Sequence, residues 1–324
     1  MSDRYSRQIA LAEVGAGGQA QLARTTVLIV GVGGLGSVVA QSLCAAGVGH
    51  LTVIDHDRVE ESNLHRQPLY RMRDIGELKA RAAHDALLEA NPHAHVEAIC
   101  EALTPANVAV LVASTDVVVD AADSFAVSYM LSDECQRAGK TLISASVLGL
   151  SGYVGAFCGD APSYRAVFPE IPQHVGTCGQ DGVLGTAVGV MGALQAQMTL
   201  ATILNLQPSV AGQLISVDFH GLRFGGFRFL GAPEPAASSN LRFIAPADVN
   251  GNDLVVDLRT FAEISARPFN STLRAAVDTI GDTQSELPST RRVVLCCRSG
   301  VRAWRAARVL QNHGYTDLAL IALG

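Results

Sequence analysis

A buried strand that runs directly into a glycine-rich turn constrains this chain more than any other feature. Val27–Gly36 reads V-L-I-V-G-V-G-G-L-G. Gly31, Gly33 and Gly36 therefore form the pattern G-x-G-x-x-G. In a βαβ unit the first glycine permits the tight turn, the second lets the backbone approach a phosphate, and the third lets helix and strand pack closely. The pattern predicts a nucleotide-binding strand–turn–helix near the N-terminus.

This unit is the first of a series in which strand-like runs alternate with helical stretches, as in a parallel sheet with helices on both faces. Only 17% of residues are charged, which suits a sheet buried on both sides. The predicted fold class is α/β, a doubly wound, mostly parallel, Rossmann-like sheet. Residues 4–24 are predicted to form one amphipathic helix before it. The predicted strands are Val27–Val30, Leu51–Ile54, Val96–Ile99, Val117–Asp120 and Leu142–Ala145, and the predicted helices are Gly34–Ala46, Glu77–Ala90 and Phe125–Ala138.

The pattern changes after Gly149, where further strands around one long helix are predicted to add to the sheet in antiparallel fashion. Residues 160–182 are predicted to form a long functional loop. The segment Gly231–Asn240 contains two prolines and no periodicity, which indicates a linker. It separates a nucleotide-binding domain of residues 1–230 from a small α/β domain of residues 241–324. The later predicted strands are Tyr153–Cys158, Gln213–Phe219, Arg223–Leu230, Leu254–Asp257, Arg292–Cys296 and Leu318–Ile321, with a helix over Val301–His313.

Composition argues against several classes of function. The net charge of −6 provides no general attraction to nucleic acid or to an anionic membrane. The apolar stretch Val183–Leu206 contains Gln195 and Asn205, which favours a core helix over a membrane span. The N-terminus lacks the apolar core of a signal peptide, and seven cysteines without paired spacing argue against a disulfide scaffold. The expected location is therefore a reducing cytoplasm, without nucleic-acid or membrane partners.

The residues after the second predicted strand indicate whether the nucleotide site binds NAD or ATP. The glycine turn and Asp55 alone favour an NAD-binding unit, in which Asp55 accepts hydrogen bonds from ribose hydroxyls. A dehydrogenase has no need of the polar loop that follows, which carries Asn63 and Arg66, or of Lys79 beyond it. These side chains suit phosphate chemistry, so ATP is the expected nucleotide and an NAD-dependent dehydrogenase is the competing hypothesis.

Several blocks in a fixed order extend this site over roughly residues 4–230. They are Arg4-Tyr5-x-Arg7-Gln8, Ser62-Asn63-Leu64-x-Arg66-Gln67, Gly76-x-x-Lys79, Asp120-x-x-Asp123 and Gly182-Val183-Leu184-Gly185. Together they resemble the MoeB/ThiF family of adenylyltransferases, relatives of the ubiquitin-activating enzymes that act on small ubiquitin-like sulfur carriers. The resemblance implies an adenylation site for ATP and Mg²⁺.

The resemblance also implies a role for individual residues. A homodimer follows from it, because Arg7 matches the family arginine that reaches the triphosphate in the other subunit. Asp57 and Asp120 are ranked below Arg66, Lys79 and Asp123 as site residues. The implied contacts are Gly34 against the nucleotide, Asp55 on the ribose, Asn63, Arg66 and Lys79 on the phosphates, and Asp123 near the α-phosphate with Mg²⁺.

The implied chemistry agrees with these residue types. A carboxylate that attacks an α-phosphate needs the charge on the phosphates and the departing pyrophosphate to be neutralised, which cationic side chains and a metal ion do. A C-terminal carboxylate is already ionised near neutral pH, so no general base is required.

Two positions depart from the resembled family. Many relatives bind structural zinc through two Cys-x-x-Cys pairs, and this chain has Ser163-Tyr164-Arg165-Ala166 where the first pair should stand. A tetrahedral zinc site needs four such ligands, so no zinc is expected. The family has Asp-Asn after the fourth strand, and this chain has Asp123-Ser124. Only the asparagine differs, so the carboxylate of Asp123 is retained.

Two cysteines are candidate sulfur-handling residues. Cys178 stands in the long loop at the position of the family cysteine that joins covalently to the activated carrier, where its thiol could attack an acyl-adenylate or receive sulfur. Cys297 opens C-R-S-G-V-R, which with Val256-Asp257-Leu258-Arg259 resembles a rhodanese-type sulfurtransferase. A cysteine phosphatase would place its arginine one residue later. Backbone N–H groups, the helix N-terminus and Arg302 favour a thiolate at Cys297, while Cys296 is expected to complete the strand.

The sequence therefore predicts adenylation of a ubiquitin-like carrier that ends in Gly-Gly, followed by sulfur transfer to give a thiocarboxylate. The sulfur donor would be a cysteine desulfurase or thiosulfate. Rhodanese domains usually carry an H-I-P-G-A-like segment where this chain has residues 267–272, which leaves a docking role open for the C-terminal domain. Two different functions compete with this prediction: adenylation of a small-molecule or tRNA carboxylate, and nucleotide binding by a regulatory dimer without turnover. The sequence does not choose among molybdopterin, thiamine, thiolated tRNA and secondary metabolism.

Overall fold

The computed structural model describes residues 3–171, 182–236, 241–263, 269, 272–281, 287 and 291–323. Within them, the strands of the larger sheet are β1 Thr26–Val30, β2 His50–Ile54, β3 His95–Ile99, β4 Val117–Asp120, β5 Thr141–Leu148, β6 Ser151–Phe157, β7 Gln213–Asp218 and β8 Arg223–Arg228. The helices around this sheet are α1 Ser6–Ile9, α2 Gly15–Leu22, α3 Gly34–Ala46, α4 Lys79–Ala90, α5 Val108–Ala113, α6 Phe125–Ala138, α7 Tyr164–Val167 and α8 Gly185–Ile203. Short 3₁₀ turns lie at Asp3–Tyr5, Glu61–Asn63 and Met72–Asp74.

The larger sheet has the order β3-β2-β1-β4-β5-β6-β7-β8 among the described residues. Strands β1 to β5 pair in parallel, and β6 to β8 add in antiparallel fashion, as the sequence predicts. Val30 pairs with Ile54 on one side and with Asp120 on the other. The carboxyl ends of β2, β1 and β4 therefore meet at one edge, at the point where the strand order reverses, and ligands of open α/β sheets bind at such a point.

The long helix α8 packs against α3 over this sheet. A Cβ at Gly192 would lie 2.7 Å from the Cβ of Val38, and one at Gly34 would lie 2.8 Å from a methyl carbon of Val188. Small residues thus let the two helices approach closely. By length and composition α8 is apolar enough to cross a membrane, but 56% of it is buried inside the protein, which agrees with the predicted core helix.

The described strands of the smaller sheet all pair in parallel. Helix α9, Val301–Asn312, covers one of its faces. Val293, Leu295 and Cys297 on that face belong to the same buried cluster as Leu28 of the larger sheet. Its strands are β9 Arg242–Phe243, β10 Leu254–Asp257, β11 Thr272–Arg274, β12 Val293–Cys297 and β13 Leu318–Ala322. They lie in the order β11-β10-β12-β13-β9. Short 3₁₀ turns lie at Pro246–Asp248, Phe261–Glu263 and Val277–Thr279.

Four details differ from the sequence prediction. The single helix predicted over residues 4–24 is wrong, because the chain forms two helices on either side of a break before Gly15, whose φ is +55°. Helix α5 and the edge strands β9 and β11 were not predicted, since each is short and lacks a clear periodic pattern. The predicted loop 160–182 contains α7, and residues 172–181 lie outside the described part. Strand β12 ends at Cys297 rather than at Cys296.

Candidate active site

The glycine turn is closed so tightly that side chains are excluded from it. Gly31 has a φ of +84°, and a Cβ there would lie 2.9 Å from the carbonyl oxygen of Ala121. A Cβ at Gly36 would overlap the carbonyl oxygen of Gly31. The turn leads into α3, and the first N–H groups of a helix have no partner within it. The arrangement suits a bound anion such as a nucleotide phosphate.

Asp55 follows β2 and holds the loops at this edge together. Its Oδ2 accepts a hydrogen bond from the backbone N–H of Val32 at 2.9 Å, and its Oδ1 accepts one from the N–H of Asp57 at 2.8 Å. The side chain is almost fully buried. Each carboxylate oxygen has a second lone pair, so both can still accept a ribose hydroxyl.

The buried Lys79 forms an ion pair with the exposed Asp57, a residue that the sequence ranked low. The Nζ atom lies 2.8 Å from Asp57 Oδ2, and the Lys79 backbone N–H donates to the carbonyl oxygen of Asp57 at 2.8 Å. Burial raises the pKa of Asp57, but the hydrogen bond and charge of Lys79, with a smaller effect of His56, lower it overall. Lys79 is thus fixed at the first residue of α4. The carboxylate of Asp57 occupies the position beside its Nζ atom at which a phosphate could bind.

The loop that carries Asn63 and Arg66 lies between the glycine turn and the start of α8. Asn63 is buried, and its Oδ1 accepts from the N–H of Glu60 at 3.2 Å. Arg66 is half-buried, and its Nη1 donates to the carbonyl oxygen of Ser62 at 3.0 Å in a hydrogen bond that is exposed to solvent. A Cβ at Gly185 would overlap the carbonyl oxygen of His65. Helix α8 therefore supports the loop from behind and leaves the Arg66 guanidinium group at the surface.

Gln67 is a candidate site residue to which the sequence pattern assigned no role. Its side chain is buried, and Nε2 lies 3.6 Å from the position of a Cβ at Gly33. Its Oε1 is one of the buried polar atoms without a hydrogen-bond partner among the described residues. An amide beside the glycine turn could bond a nucleotide. The signal in the sequence was a polar residue that directly follows Arg66 in the family motif.

Asp120 and Asp123 have different environments although both follow β4. Asp120 is buried, and its Oδ2 accepts hydrogen bonds from Ser128 Oγ at 2.6 Å and Ser144 Oγ at 2.7 Å. Burial raises the pKa of Asp120 to about 6 against these hydrogen bonds. Asp123 is exposed at the start of α6. Asp120 thus stabilises the end of the strand, whereas Asp123 is accessible to a ligand.

The structure offers one group of potential metal ligands within the described ranges: Asp55, His56 and Asp57, whose ligand atoms lie within 4.8 Å of one another. Carboxylate oxygens suit Mg²⁺, and the group lies at the nucleotide edge of the sheet. Asp123 is not a member of it.

Arg7 is exposed on α1, the short helix before the sheet. The flanking residues anchor this helix, since Tyr5 Oη accepts from Asn91 Nδ2 at 3.0 Å and Gln8 Nε2 donates to the carbonyl oxygen of Ala46 at 2.9 Å. The segment is thus fixed on the ends of α3 and α4, and the Arg7 side chain remains at the surface.

Cys297 lies in a backbone cradle at the end of β12. Its Sγ accepts from the N–H of Gly300 at 3.1 Å and from that of Ala303 at 3.4 Å, and the side chain is fully buried. Arg302 pairs with Glu263 at 2.7 Å and donates to the carbonyl oxygen of Leu258 at 3.0 Å. The bond to Glu263 raises the pKa of Arg302, burial opposes this effect, and Cys297 adds to it. The sulfur atom of Cys297 thus has two backbone donors and a cationic side chain beside it.

The other two cysteines that the sequence analysis considers are Cys296 and Cys178. Cys296 lies on the opposite face of the sheet, where burial and then Asp257 raise its pKa to about 12. A thiol of that kind is a poor nucleophile. Cys178 lies outside the described residues, as does most of the segment 267–272.

The comparisons with known proteins agree with this geometry. Residues 5–239 match the ThiF family. The chain is 42% identical to "Adenylyltransferase and sulfurtransferase MOCS3" of Drosophila grimshawi over 229 residues. This match covers 69% of this chain and 51% of that protein. The chain is 41% identical over 231 residues to MOCS3 of Culex quinquefasciatus, which is 70% of this chain and 53% of that protein. The chain thus spans about half the length of the curated relatives it matches.

Solved structures are similar at the level of the fold. The crystal structure of E. coli MccB with ATP has a TM-score of 0.63 and 23% sequence identity, over 72% of this chain and 73% of that one. The crystal structure of PaaA has a TM-score of 0.60 and 25% identity, over 71% of this chain and 75% of that one. These similarities confirm the predicted α/β fold class.

The buried Asp120 predicts a pH dependence of stability. Its pKa is about 6 in the folded protein against an ordinary 3.8, so the folded state keeps a proton that the unfolded chain has lost. The stabilisation is complete below the ordinary pKa and disappears as pH rises through about 6. It amounts to at most on the order of 3 kcal/mol. Asp120→Asn should therefore remove part of the pH dependence of the free energy of unfolding.

Urea unfolding of the wild type and the variant from pH about 4 to about 7 measures this difference. The exposed Asp160→Asn serves as the control, since it should leave the profile unchanged. Identical pH profiles for wild type and Asp120→Asn would contradict the assignment of the titration to Asp120.

Proposed function

The chain belongs to the ThiF family, and we propose that it adenylates the C-terminal carboxylate of a ubiquitin-like sulfur carrier ending in Gly-Gly and then converts it to a thiocarboxylate. The observation that supports this proposal best is the joint presence of two sites. One is a glycine turn with Lys79 and Arg66 beside it, and the other is Cys297 in a cradle of backbone donors. A dehydrogenase has no use for the second site.

In the adenylation step the chain's residues bind and neutralise charge. The glycine turn and the N-terminus of α3 bind the phosphates through backbone N–H groups. Asp55 orients the ribose, and Lys79 exchanges Asp57 for a phosphate oxygen. The carrier carboxylate forms a bond to the α-phosphorus while the bond to pyrophosphate breaks, and Arg66 and Lys79 stabilise the charge on the departing oxygens.

Mg²⁺ fits this site through carboxylates at the same edge, which are the exposed Asp123 and the pair of the buried Asp55 and the exposed Asp57. When bound, it would neutralise phosphate charge. The donor set is all oxygen apart from His56, which agrees with the preference of Mg²⁺. No zinc is proposed.

The sulfur step uses Cys297 as the carrier of a persulfide. With thiosulfate as donor, the Cys297 thiolate takes the outer sulfur and sulfite leaves; a cysteine desulfurase persulfide would instead leave its own thiolate. The terminal persulfide sulfur then attacks the carbonyl carbon of the acyl-adenylate, a C–S bond forms, and AMP leaves with the electron pair of the broken C–O bond. A second thiol, from Cys178 or an external thiol reductant, cleaves the resulting acyl disulfide. The products are the thiocarboxylate, a proton and a disulfide to Cys297 that a further thiol reduces.

The proposed setting is a cytoplasmic homodimer in which Arg7 reaches the triphosphate bound by the partner subunit. A nucleotide-binding dimer without turnover is the second candidate, and the Lys79–Asp57 ion pair favours it, because the cation is already paired with a carboxylate. Measurement of ATP–pyrophosphate exchange across candidate carriers ending in Gly-Gly separates the two, since only an adenylating enzyme exchanges.

Adenylation should depend on the charged residues at the glycine turn. Lys79→Ala and Asp123→Ala should each lower ATP–pyrophosphate exchange by about a hundredfold or more, as the loss of one electrostatic stabiliser does. Arg137→Ala is the control, since Arg137 is exposed on α6 and pairs only with Glu134 in the described interactions. Full exchange activity in Asp123→Ala would contradict its role.

Shared sites predict complementation between inactive subunits. An Arg7→Ala subunit and an Asp123→Ala subunit should each be inactive alone, whereas mixed dimers contain one intact site and should recover part of the exchange activity. Subunit exchange is verified by native mass spectrometry with one isotope-labelled chain. If mixed dimers form and remain inactive, the site is not shared.

Substitution of the cysteines should impair sulfur transfer without affecting adenylation. Cys297→Ser should abolish persulfide formation and leave ATP–pyrophosphate exchange intact, because the cysteine lies outside the glycine-turn site. Cys178→Ser should spare exchange and slow thiocarboxylate formation. Mass spectrometry after incubation with thiosulfate should find one added sulfur on the Cys297 peptide, and Cys296→Ser is the matched control. A failure to load with either donor class would make the C-terminal domain a docking module.

A further inference from the structure

A buried arginine joins the two sheets. Arg165 of α7 is only 4% exposed. Its guanidinium group bonds both carboxylate oxygens of Asp133 on α6, with Nη2 2.9 Å from Oδ2, and Nη2 also donates at 2.9 Å to the carbonyl oxygen of Leu241, next to β9. A buried cation requires such partners, and here they come from both sides of the linker.

Two aromatic rings lie against the same guanidinium group. Its central carbon lies 4.6 Å from the ring centroid of Tyr129 on α6 and 5.2 Å from that of Trp304 on α9. The two rings lie 4.6 Å apart, and Trp304 is fully buried. Arginine stacks on aromatic faces in a way that lysine does not. The contact therefore fixes α9 on α6 with a defined orientation.

Two polar contacts flank this core. On one side, Ser163 binds Glu234 of the linker region, through its N–H at 2.7 Å and its Oγ at 2.6 Å. On the other, Arg308 of α9 pairs with Glu170 at 2.9 Å. The first contact joins the segment 163–170 to the linker, and the second joins it to α9.

The docking brings the Cys297 loop to the nucleotide end of α6. A Cβ at Gly300 would lie 2.6 Å from the ring of Phe243 and 3.3 Å from the Cβ of Ala126. Gly300 also donates to Cys297 Sγ, and Ala126 lies in the first turn of α6, shortly after Asp123. Cys297, Ala126 and Phe243 all belong to one buried cluster.

We propose that Arg165 is a positioning residue that clamps the C-terminal domain on α6 and holds the Cys297 loop beside the nucleotide site of the same chain. This inference rests on the proposed function. In this arrangement sulfur is transferred within one chain, and Cys297 is protected from solvent reagents until the clamp opens.

Arg165→Ala tests the clamp with two independent measurements. Single-turnover thiocarboxylate formation from persulfidated enzyme should fall about tenfold or more, because small misplacement of reacting groups is costly. ATP–pyrophosphate exchange should stay within about twofold, since the contacts of Arg165 are with Asp133, Leu241 and two aromatic rings and not with the glycine turn. Alkylation of Cys297 by iodoacetamide should become at least about tenfold faster, because opening of the interface exposes a buried thiol.

The controls separate positioning from general damage. Arg137→Ala, on the same helix as Asp133 but outside the interface, should behave as wild type. Arg165→Lys keeps the charge but loses stacking and the bidentate bond, so it should give intermediate alkylation and transfer rates. If Arg165→Ala does not fold, Arg308→Ala at the interface edge should give a smaller increase in alkylation. Wild-type alkylation and transfer rates in Arg165→Ala, or in Arg308→Ala as its replacement, would overturn the proposal.

Transfer within one chain has its own test. Mixed dimers of Cys297→Ser and Asp123→Ala subunits contain no chain with both functional groups, so they should form no thiocarboxylate. Thiocarboxylate formation in these dimers would refute transfer within one chain. Alkylation needs neither carrier nor nucleotide, so it decides the clamp separately from adenylation. If the wild type shows no ATP–pyrophosphate exchange, the proposed function is refuted, but the clamp is not.

Discussion

The contact between Gly36 and the carbonyl oxygen of Gly31 is the constraint on which the candidate active site depends. It leaves no room for a Cβ, and so it fixes the angle at which α3 leaves β1. That angle sets where the first N–H groups of α3 lie relative to Asp55, which bonds the same turn through Val32. The parallel register then brings β4 to the same edge. One close backbone contact thus determines the positions of the groups to which the proposed function assigns phosphate, ribose and metal binding.

A second constraint is that the two sheets share one buried cluster. Tyr129 of α6 and Trp304 of α9 are members of it, and the guanidinium group of Arg165 contacts both rings. Interfaces of this apolar kind hold domains in a fixed relation, whereas polar ones allow motion. The segment Ser163–Ala166, where relatives of the resembled family carry a Cys-x-x-Cys pair, contributes to this interface through side-chain contacts.

Much of the larger domain could be predicted from the sequence. The helices Gly34–Ala46 and Phe125–Ala138 have the predicted bounds, and the strands agree within a few residues, because buried parallel strands are near-continuous apolar runs. The contacts of Asp57 with Lys79 and of Arg165 with Trp304 could not be predicted, since they join residues far apart in sequence. No local pattern distinguishes a buried arginine from a surface one. The roles of Cys178 and of the site residues stay predictions.

The Lys79–Asp57 pair also explains how a site for a highly charged ligand can be stable on its own. An unpaired buried ammonium group would cost several kcal/mol, so the site needs a carboxylate beside Lys79. In the proposed function the same carboxylate must leave Lys79, or share it, when a phosphate binds, and Asp57 is itself 55% exposed at its side chain. Solvent can therefore stabilise Asp57 once Lys79 turns to a phosphate. Lys79 then replaces its charge-assisted hydrogen bond to Asp57 with one to the phosphate. Proposed nucleotide binding therefore leaves no buried charge without a partner.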